Sequence, residues 1–156
     1  MYEYFDHTAD LGLCIRAPDL ETLFVEAARA LFGAIVEDLG SINASRRVDI
    51  HLTGDEREFL LFDWLKELLY RFDVEHLLFS RFEVHLGDGV PGGTGVSPVP
   101  HRRDAGATFT LTAAAWGEPL DPSRHELLHE VKAITYHGLR VEQTAGGWLA
   151  EVIVDI

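Results

Sequence analysis

The chain has 156 residues, enough for one domain with one hydrophobic core. Acidic residues number 26 against 13 lysine and arginine residues, which gives a formal net charge of −13 at pH 7. Nucleic acids are bound largely through Lys and Arg contacts to phosphate, so we expect no direct nucleic-acid binding. The charge favours a basic protein surface or a hard metal cation as the partner, with acidity that only improves solubility as the alternative.

Nothing in the sequence suggests a membrane or secreted protein. No apolar stretch approaches the roughly 20 residues that a membrane-spanning helix needs. The N-terminal residues lack the basic region and apolar core of a secretory signal. The single cysteine, Cys14, cannot form an internal disulfide. These features predict a cytoplasmic protein.

The first part of the chain shows a strand, a helix and a second strand. Apolar residues alternate over 11–15, which is typical of a strand, and Pro18-Asp19 then ends it. Asp19 is suited to cap a helix predicted over about 20–36, where apolar residues recur at helical spacing. Alternation returns over 48–53 and predicts the second strand.

A second helix is predicted after Gly54-Asp55, and its wide apolar stripe indicates that it is largely buried. The stripe recurs at intervals of three and four residues and consists of Phe59, Phe62, Leu65, Leu69 and Phe72, widened by Leu60, Leu61, Trp64 and Leu68. A third strand is predicted over 82–86.

Residues 87–106 differ in composition from the rest of the chain. They include several glycines, three prolines and the Arg102-Arg103 pair, with almost no large apolar residue. We expect a flexible hairpin connection here and not a domain boundary, because strand patterning resumes at 109–113. The last strands are predicted over 131–137 and 148–156, with a turn at Gly146-Gly147.

The order of elements is strand, helix, strand, helix and then several strands. Late strands joined by short turns imply antiparallel pairing and disfavour repeating parallel β-α-β units. The predicted fold is therefore α+β, with two helices packed on a mostly antiparallel sheet in one domain that spans 1–156.

Two aspartates and the last residue are candidates for a metal site. Asp10 precedes the first strand pattern and Asp155 lies near the end of the final one, each on the polar parity of its strand. Ile156 ends the sequence and is expected to bring a free carboxylate. If the first and last strands lie side by side, these oxygens converge, which suits a hard cation such as calcium. The alternative is that Asp10 forms a turn and Asp155 is only a polar strand end.

Lys132, His7 and His137 are further candidates for a functional role. Lys132 is one of only two lysines and suits contact with an acidic group or a phosphate, or the protection of an edge strand from aggregation. His7 and His137 suit a local polar network. The eight histidines do not suggest zinc, because only His125 and His129 are close neighbours and no cysteine pair accompanies them.

Motifs for covalent catalysis and nucleotide binding are absent from the sequence. It contains no Gly-x-Ser-x-Gly elbow, and Cys14 lies in a strand pattern beside no obvious base. The phosphate-binding patterns Gly-x-x-x-x-Gly-Lys-Ser/Thr and Gly-x-Gly-x-x-Gly after a strand are missing as well. These absences disfavour an enzyme, and a nucleotide-binding enzyme in particular.

Four colinear segments resemble the archease family. The first is Phe-Asp-His-Thr-Ala-Asp-Leu-Gly at 5–12, and the second is Ala-Arg-Ala-Leu-Phe at 28–32. The third combines 64–70 with 79–82, and the fourth runs from 117–118 through Val-Lys-Ala-Ile-Thr-Tyr-His at 131–137 to Val-Asp-Ile at 154–156. The resemblance covers nearly the whole chain except 87–106, which looks longer than in typical members. Lys66 also departs from the pattern, since many members have a polar amide there.

The resemblance implies a function that composition does not. Archeases assist the GTP-dependent RtcB-type RNA ligase, which joins RNA ends in tRNA splicing and repair through a guanylylated histidine. They are not themselves the ligase, but promote its guanylylation and so permit multiple turnovers. The family's calcium-binding residues correspond here to Asp10, Asp155 and Ile156. Lys132 becomes a candidate for contacting the ligase or its nucleotide, together with His7 and His137.

Two other functions stay open as alternatives. The first is a metal-dependent hydrolase that uses His7, Asp10 and His137, which predicts catalysis by the isolated protein. The second is a chaperone-like or scaffold module, which predicts several unrelated partners and no dependence on Asp155.

Overall fold

The computed structural model describes residues 1–7, 10–88 and 109–156. In chain order the described elements are β1 (Tyr2–His7), β2 (Asp10–Ala17), α1 (Leu20–Ile35), a 3-10 helix (Leu39–Ser41), β3 (Arg46–Gly54), α2 (Arg57–Glu75), β4 (Leu77–Asp88), β5 (Phe109–Pro119), β6 (Ala133–Thr144) and β7 (Gly147–Asp155). The strands form two antiparallel sheets with the orders β1-β2-β7-β6 and β3-β5-β4. The predicted α+β fold is confirmed.

Helix α1 begins at the predicted residue because Asp19 caps it. The Asp19 backbone is extended, and its Oδ1 accepts a hydrogen bond from the Thr22 N–H at 2.8 Å. The helix then buries an apolar face made of Leu23, Phe24, Ala27, Ala28, Ala30, Leu31, Phe32, Ala34 and Ile35. This face places α1 in the centre of the molecule.

Helix α2 is largely buried, as predicted, but its buried stripe is shifted around the helix. The buried residues are Leu60, Leu61, Phe62, Trp64, Leu65, Leu68 and Leu69. Phe59, predicted to belong to the stripe, is instead 45% exposed. The Trp64 indole N–H donates a hydrogen bond to the Phe24 carbonyl at 2.9 Å, which ties α2 to α1. The helix ends at His76, whose φ of 57° lies in the left-handed region.

The hydrophobic core lies between the two sheets. Helix α1 contacts β2 and β7 of one sheet and β4 of the other, and α2 contacts β6 of one sheet and β3, β4 and β5 of the other. Phe32 of α1 meets Phe79 of β4 edge to face, with ring centroids 5.6 Å apart. The sequence analysis predicted one sheet, and the structure corrects this, because the described strands form two sheets and each helix contacts strands of both. None of the described helices is long and apolar enough to cross a membrane.

Strand β1 was not predicted because it carries aromatic residues on both faces. The Tyr4 hydroxyl donates a hydrogen bond to the Ala30 carbonyl at 2.8 Å on the side of α1, and burial there raises the pKa of Tyr4. Phe5 lies against Gly12, where a Cβ would collide with its ring. Alternation of apolar and polar residues is therefore lost, although the strand pairs with β2 along its whole length.

Several predicted boundaries move. Strand β4 continues through Gly87 and Asp88, which the sequence analysis placed in a loop over 87–106, and the other residues of that predicted loop lie outside the described ranges. Strand β6 covers Ala133–Thr144 and is longer than the predicted 131–137. The turn before β7 lies at 145–146, and Gly147 begins the strand with φ 149°.

The segment between β5 and β6 is anchored by a buried carboxylate, Glu118. Its Oε1 accepts a hydrogen bond from Arg124 Nη2 at 2.6 Å, and its Oε2 accepts from the Asn43 N–H at 2.8 Å. Oε2 also lies 2.9 Å from His125 Nε2. The Asp121 N–H donates to His125 Nδ1 at 2.9 Å, so in neutral His125 the proton is on Nε2, which donates to Glu118. This network fixes the segment that leads into β6.

The same network sets the acidity of Glu118. Burial raises the pKa of this carboxyl group, but the hydrogen bonds from Arg124, the Asn43 N–H and His125 outweigh burial. The result is a pKa lowered from 4.5 to about 2. As the pH falls, Glu118 therefore stays ionised in the folded protein after the same group has become protonated in the unfolded chain.

Replacing Gly117 by Ala should destabilise the protein by about 2 kcal/mol or more, because overpacking forces the backbone to move. A Cβ at Gly117 would collide with the Leu78 carbonyl oxygen in the paired strand β4. Urea unfolding measures the change. Gly146→Ala is the matched control, since a Cβ there meets no atom within 4 Å. Equal stability of the two variants would contradict the close approach of the strands.

The lowered pKa of Glu118 predicts how stability depends on pH. A depressed carboxyl pKa stabilises the fold above the unfolded-state pKa of 4.5, and this contribution disappears as the pH falls towards 2. We expect Glu118→Gln to lower Tm at pH 7 and to reduce the loss of Tm between pH 4.5 and 2. Glu37→Gln, at an exposed position, should follow the wild type. A Glu118→Gln curve parallel to the wild type would refute the assignment.

Candidate functional site

Asp10 and Asp155 lie opposite each other at one end of the four-stranded sheet. Asp10 is the first residue of β2 and Asp155 the last of β7, and the two are paired in antiparallel register. Directly opposite residues have Cβ atoms about 4.5–5.5 Å apart. Both aspartates are half-buried. The condition set by the sequence analysis, that the first predicted strand and the last one lie side by side, is met.

Ile156 extends this pair towards the core. It follows Asp155 directly, and its side chain is partly buried against the hydrophobic core, which holds the chain end at the sheet. Within 1–7, 10–88 and 109–156, no group of three or more His, Cys, Asp and Glu residues is placed to hold a metal ion. A cation at Asp10 and Asp155 would need further oxygens from Ile156, the main chain or water. Calcium accepts such mixed oxygen ligands, so these residues fit a hard cation.

The pair presents two carboxylate groups on neighbouring strands, and carboxylates are the ligands that hard cations prefer. The arrangement thus suits binding of a divalent cation.

Lys132 lies at the same end of the sheet. Its N–H donates a hydrogen bond to the Asp155 carbonyl at 2.7 Å, and the next residue, Ala133, pairs with Asp155. Lys132 itself is exposed and precedes β6, although the sequence analysis placed it within a strand. His7 also belongs to this end, since it is the residue of β1 that pairs with Asp10. We define the sheet tip as Asp10, Asp155, Ile156 and Lys132.

The groove beside Lys132 is acidic. It is lined by Phe72, Asp73, His76, Glu130, Val131 and Lys132. Burial and the nearby Glu130 charge raise the pKa of Asp73, while His76 lowers it. Lys132 is therefore a positive group in surroundings that carry negative charge.

His137 lies four residues after Ala133 on β6. It falls within an irregular stretch between Thr135 and Arg140, and its N–H donates to Thr135 Oγ1 at 3.3 Å. The expectation that His137 contacts the ligase or its nucleotide stays a prediction.

A second surface cluster was missed by the sequence analysis. Phe59 of α2 and Tyr136 of β6 are 45% and 59% exposed, and the Tyr136 ring stacks on Phe62 with centroids 4.0 Å apart. Phe59 was assigned to the core because its helical spacing is correct. One sequence feature could have indicated this cluster. Glu56 occupies the N-cap of α2, a position where Ser, Thr, Asp or Asn is usual.

Sequence comparison finds relatives along the whole chain. Residues 2–156 match the archease protein family (MTH1598/TM1083). Protein archease of Methanosarcina mazei is 36% identical over 155 residues, which cover 99% of this chain and 95% of that protein. Protein archease of Methanopyrus kandleri is 37% identical over 155 residues, which cover 99% of each.

Solved structures share the fold. The solution structure of Methanobacterium thermoautotrophicum protein 1598 superposes with a TM-score of 0.80 at 34% identity, covering 99% of this chain and 98% of that one. The crystal structure of a Thermotoga maritima archease, described as a possible chaperone, gives a TM-score of 0.54 at 17% identity and covers 100% of this chain and 98% of that one. That second similarity supports the fold alone.

The sequence match extends from residue 2 to residue 156, and the arrangement of strands and helices agrees with it. The chain therefore belongs to the archease family.

Proposed function

We propose that this archease is a non-catalytic activator of an RtcB-type, GTP-dependent RNA ligase in the cytoplasm, acting in tRNA splicing or RNA repair. It promotes guanylylation of the ligase and so permits multiple turnovers. The ligase is proposed as the partner because the resemblance to archeases implies it. The observation that carries the role of the sheet tip is the in-register pairing of Asp10 with Asp155.

The proposed metal site uses Asp10, Asp155 and an oxygen of Ile156. A calcium ion bound there would supply positive charge between the two carboxylates. The chain's own residues do the rest. The β2–β7 pairing holds the two carboxylates together, the Ile156 side chain keeps the chain end against the core, and the Lys132 N–H fixes the Asp155 backbone.

Activation requires a preference for one state of the ligase. A factor with equal affinity for all states shifts no equilibrium, so the sheet tip must bind the guanylylation-competent state more tightly than the others. Lys132, with its exposed side chain, is the proposed contact to the ligase or its nucleotide. The net charge of −13 favours docking on a basic surface of the ligase and disfavours direct RNA binding.

The first test is multiple-turnover RNA ligation by the cognate ligase with GTP and metal, with this protein in substoichiometric amount. We expect strong stimulation beyond one turnover, and roughly tenfold or greater loss of it in Asp10→Asn and Asp155→Asn, which keep side-chain shape but remove charge. Asp49→Asn is the matched control, because Asp49 is an exposed strand carboxylate of the other sheet. Its surface ion pair with Arg47 contributes little stability.

The outcomes separate the proposed functions. Normal stimulation by both aspartate variants would overturn the role of the sheet tip while leaving the partner intact. If the folded wild-type protein does not stimulate an active ligase, the proposed partner is wrong and a scaffold function is favoured. Turnover by the isolated protein in a phosphoesterase screen, lost in Asp10→Asn, would instead support the hydrolase alternative.

The metal site predicts a thermal shift that does not involve the ligase. A ligand at 100 times its Kd stabilises the folded state by about 2.7 kcal/mol. At this chain length that corresponds to a rise in Tm of roughly 5–10 °C on adding calcium to chelator-treated protein. Asp10→Asn and Asp155→Asn should abolish the rise, and Asp49→Asn should retain it. An equal calcium response in all four proteins would place the binding elsewhere.

A further inference from the structure

A pocket outside the sheet tip combines aromatic rings with carboxylates. It lies where the N-terminus of α2 meets β6 and is lined by Glu56, Glu58, Phe59, Tyr136 and Leu139, with a volume of about 480 Å³. The Phe59 and Tyr136 rings meet at 77° with centroids 5.5 Å apart. The pocket therefore has aromatic walls at nearly a right angle and negative charge beside them.

An irregularity of β6 positions Tyr136. The register with β7 shifts between Thr135 and Arg140, and Gly138 within this stretch has φ 65°. Bulges of this kind re-aim side chains, and here Tyr136 is laid flat on Phe62, with ring planes 17° apart. One face of the tyrosine ring is thus used for packing, and the residue still remains 59% exposed.

The two carboxylates of the pocket lie at the N-terminus of α2, where their charge interacts favourably with the helix dipole. Across the described ranges, neither the Glu56 nor the Glu58 side chain makes a hydrogen bond or ion pair, and Glu56 does not cap α2 despite its N-cap position. The helix dipole places roughly +0.5 charge at this end, which offsets only part of the charge of the two carboxylates. Exposed aromatics and an unsuitable cap cost stability, a pattern that is expected at functional sites.

The protein already places cations on aromatic rings near this pocket. The Arg57 guanidinium lies 5.1 Å from both the Phe109 and the Trp148 ring centroids, so it is directed away from the pocket lining. Lys66 Nζ lies 5.8 Å from the Phe62 centroid. Each of these contacts is a cation–π interaction within the usual distance.

We propose that this pocket binds an arginine side chain that projects from a basic partner protein. A guanidinium stacks on an aromatic ring with its plane and donates paired hydrogen bonds to a carboxylate with its edge. The Phe59–Tyr136 corner supplies the rings, and Glu56 and Glu58 supply the acceptors. Net charge of −13 attracts a basic surface to the pocket. This site is separate from the metal-binding pair and does not depend on the identity of the ligase.

Arginine is preferred over the other possible occupants on physical grounds. An apolar side chain would leave both carboxylates partly desolvated without a partner, which is costly. A lysine ammonium satisfies the charge but is more strongly hydrated and lacks the planar face that stacks on Tyr136. Citrulline has nearly the shape of arginine without its charge, so it isolates the contribution of the carboxylates.

NMR titration of the ¹⁵N-labelled full chain tests the proposal with three blocked tripeptides, Gly-Arg-Gly and its lysine and citrulline equivalents. A single side chain should bind weakly, with Kd roughly millimolar. We expect the arginine peptide to shift the amide signals of Phe59, Tyr136 and Leu139, with an affinity at least about fivefold above both other peptides. Shifts spread over the whole acidic surface, equal affinity for citrulline, or no shift up to roughly 20 mM would overturn the proposal. Stronger binding of the lysine peptide would overturn the choice of arginine.

Substitutions distinguish the pocket from general acidity. Tyr136→Leu keeps an apolar cover on Phe62 while removing the ring, and Glu56→Gln with Glu58→Gln removes the charge. Both variants should weaken the arginine peptide at least about fivefold. Tyr70→Leu is the matched control. Tyr70 is an aromatic residue of helix α2 that is 53% exposed and does not line the pocket. Equal weakening by the control would refute the site, and thermal unfolding verifies that each variant is folded.

Discussion

The pairing of β2 with β7 is the interaction on which both the core and the sheet tip depend. These strands form the centre of the four-stranded sheet and are paired from Asp10 with Asp155 to Ala17 with Trp148. They join the two ends of the sequence, so the chain between them is a loop whose closure entropy opposes the pairing. Burial of the inner faces of both strands against α1 compensates for this cost.

The register of this pair leaves little freedom. A shift by one residue would turn Leu11, Leu13 and Ile15 from the core to the opposite face. The same shift would move Asp10 and Asp155 to opposite sides of the sheet. The hydrophobic core therefore also fixes the geometry of the two carboxylates, and no separate device is needed to bring them together. A cation at this position would then bind to a site that folding has already formed.

Sequence reasoning predicted the parts of the fold that depend on local periodicity. Helix α1 and its Asp19 cap, and the alternation around β2 and β7, are properties of neighbouring residues. The polar parity of Asp10 and Asp155 was sufficient to select them as a pair once the strands were assumed to be adjacent. The division into two sheets was not predictable in this way, because alternation shows that a strand has two faces but not which strand lies beside it.

The remaining errors have the same origin. Phe59 has the spacing of a core residue, but the position of the buried stripe on α2 depends on how β6 packs against the helix. Glu118 and His125 are unremarkable in the sequence and become a pair only when the end of β5 and the following segment fold together. Long-range contacts thus decide which face of a helix or strand is buried. These contacts cannot be predicted from any single segment of the sequence.

Strand β6 links the two surfaces for which functions are proposed. Its first residue, Ala133, pairs with Asp155 at the sheet tip, and Tyr136 of the aromatic pocket lies three residues later, roughly 10 Å along the strand. A standard protein interface buries about 800 Å² on each partner, an area far wider than this separation. One docked protein can therefore contact both surfaces, with the aspartate pair and the proposed arginine pocket contacting different parts of it. Because β6 is an edge strand, its bulge changes the direction of Tyr136 without disturbing the β2–β7 register that holds the carboxylates.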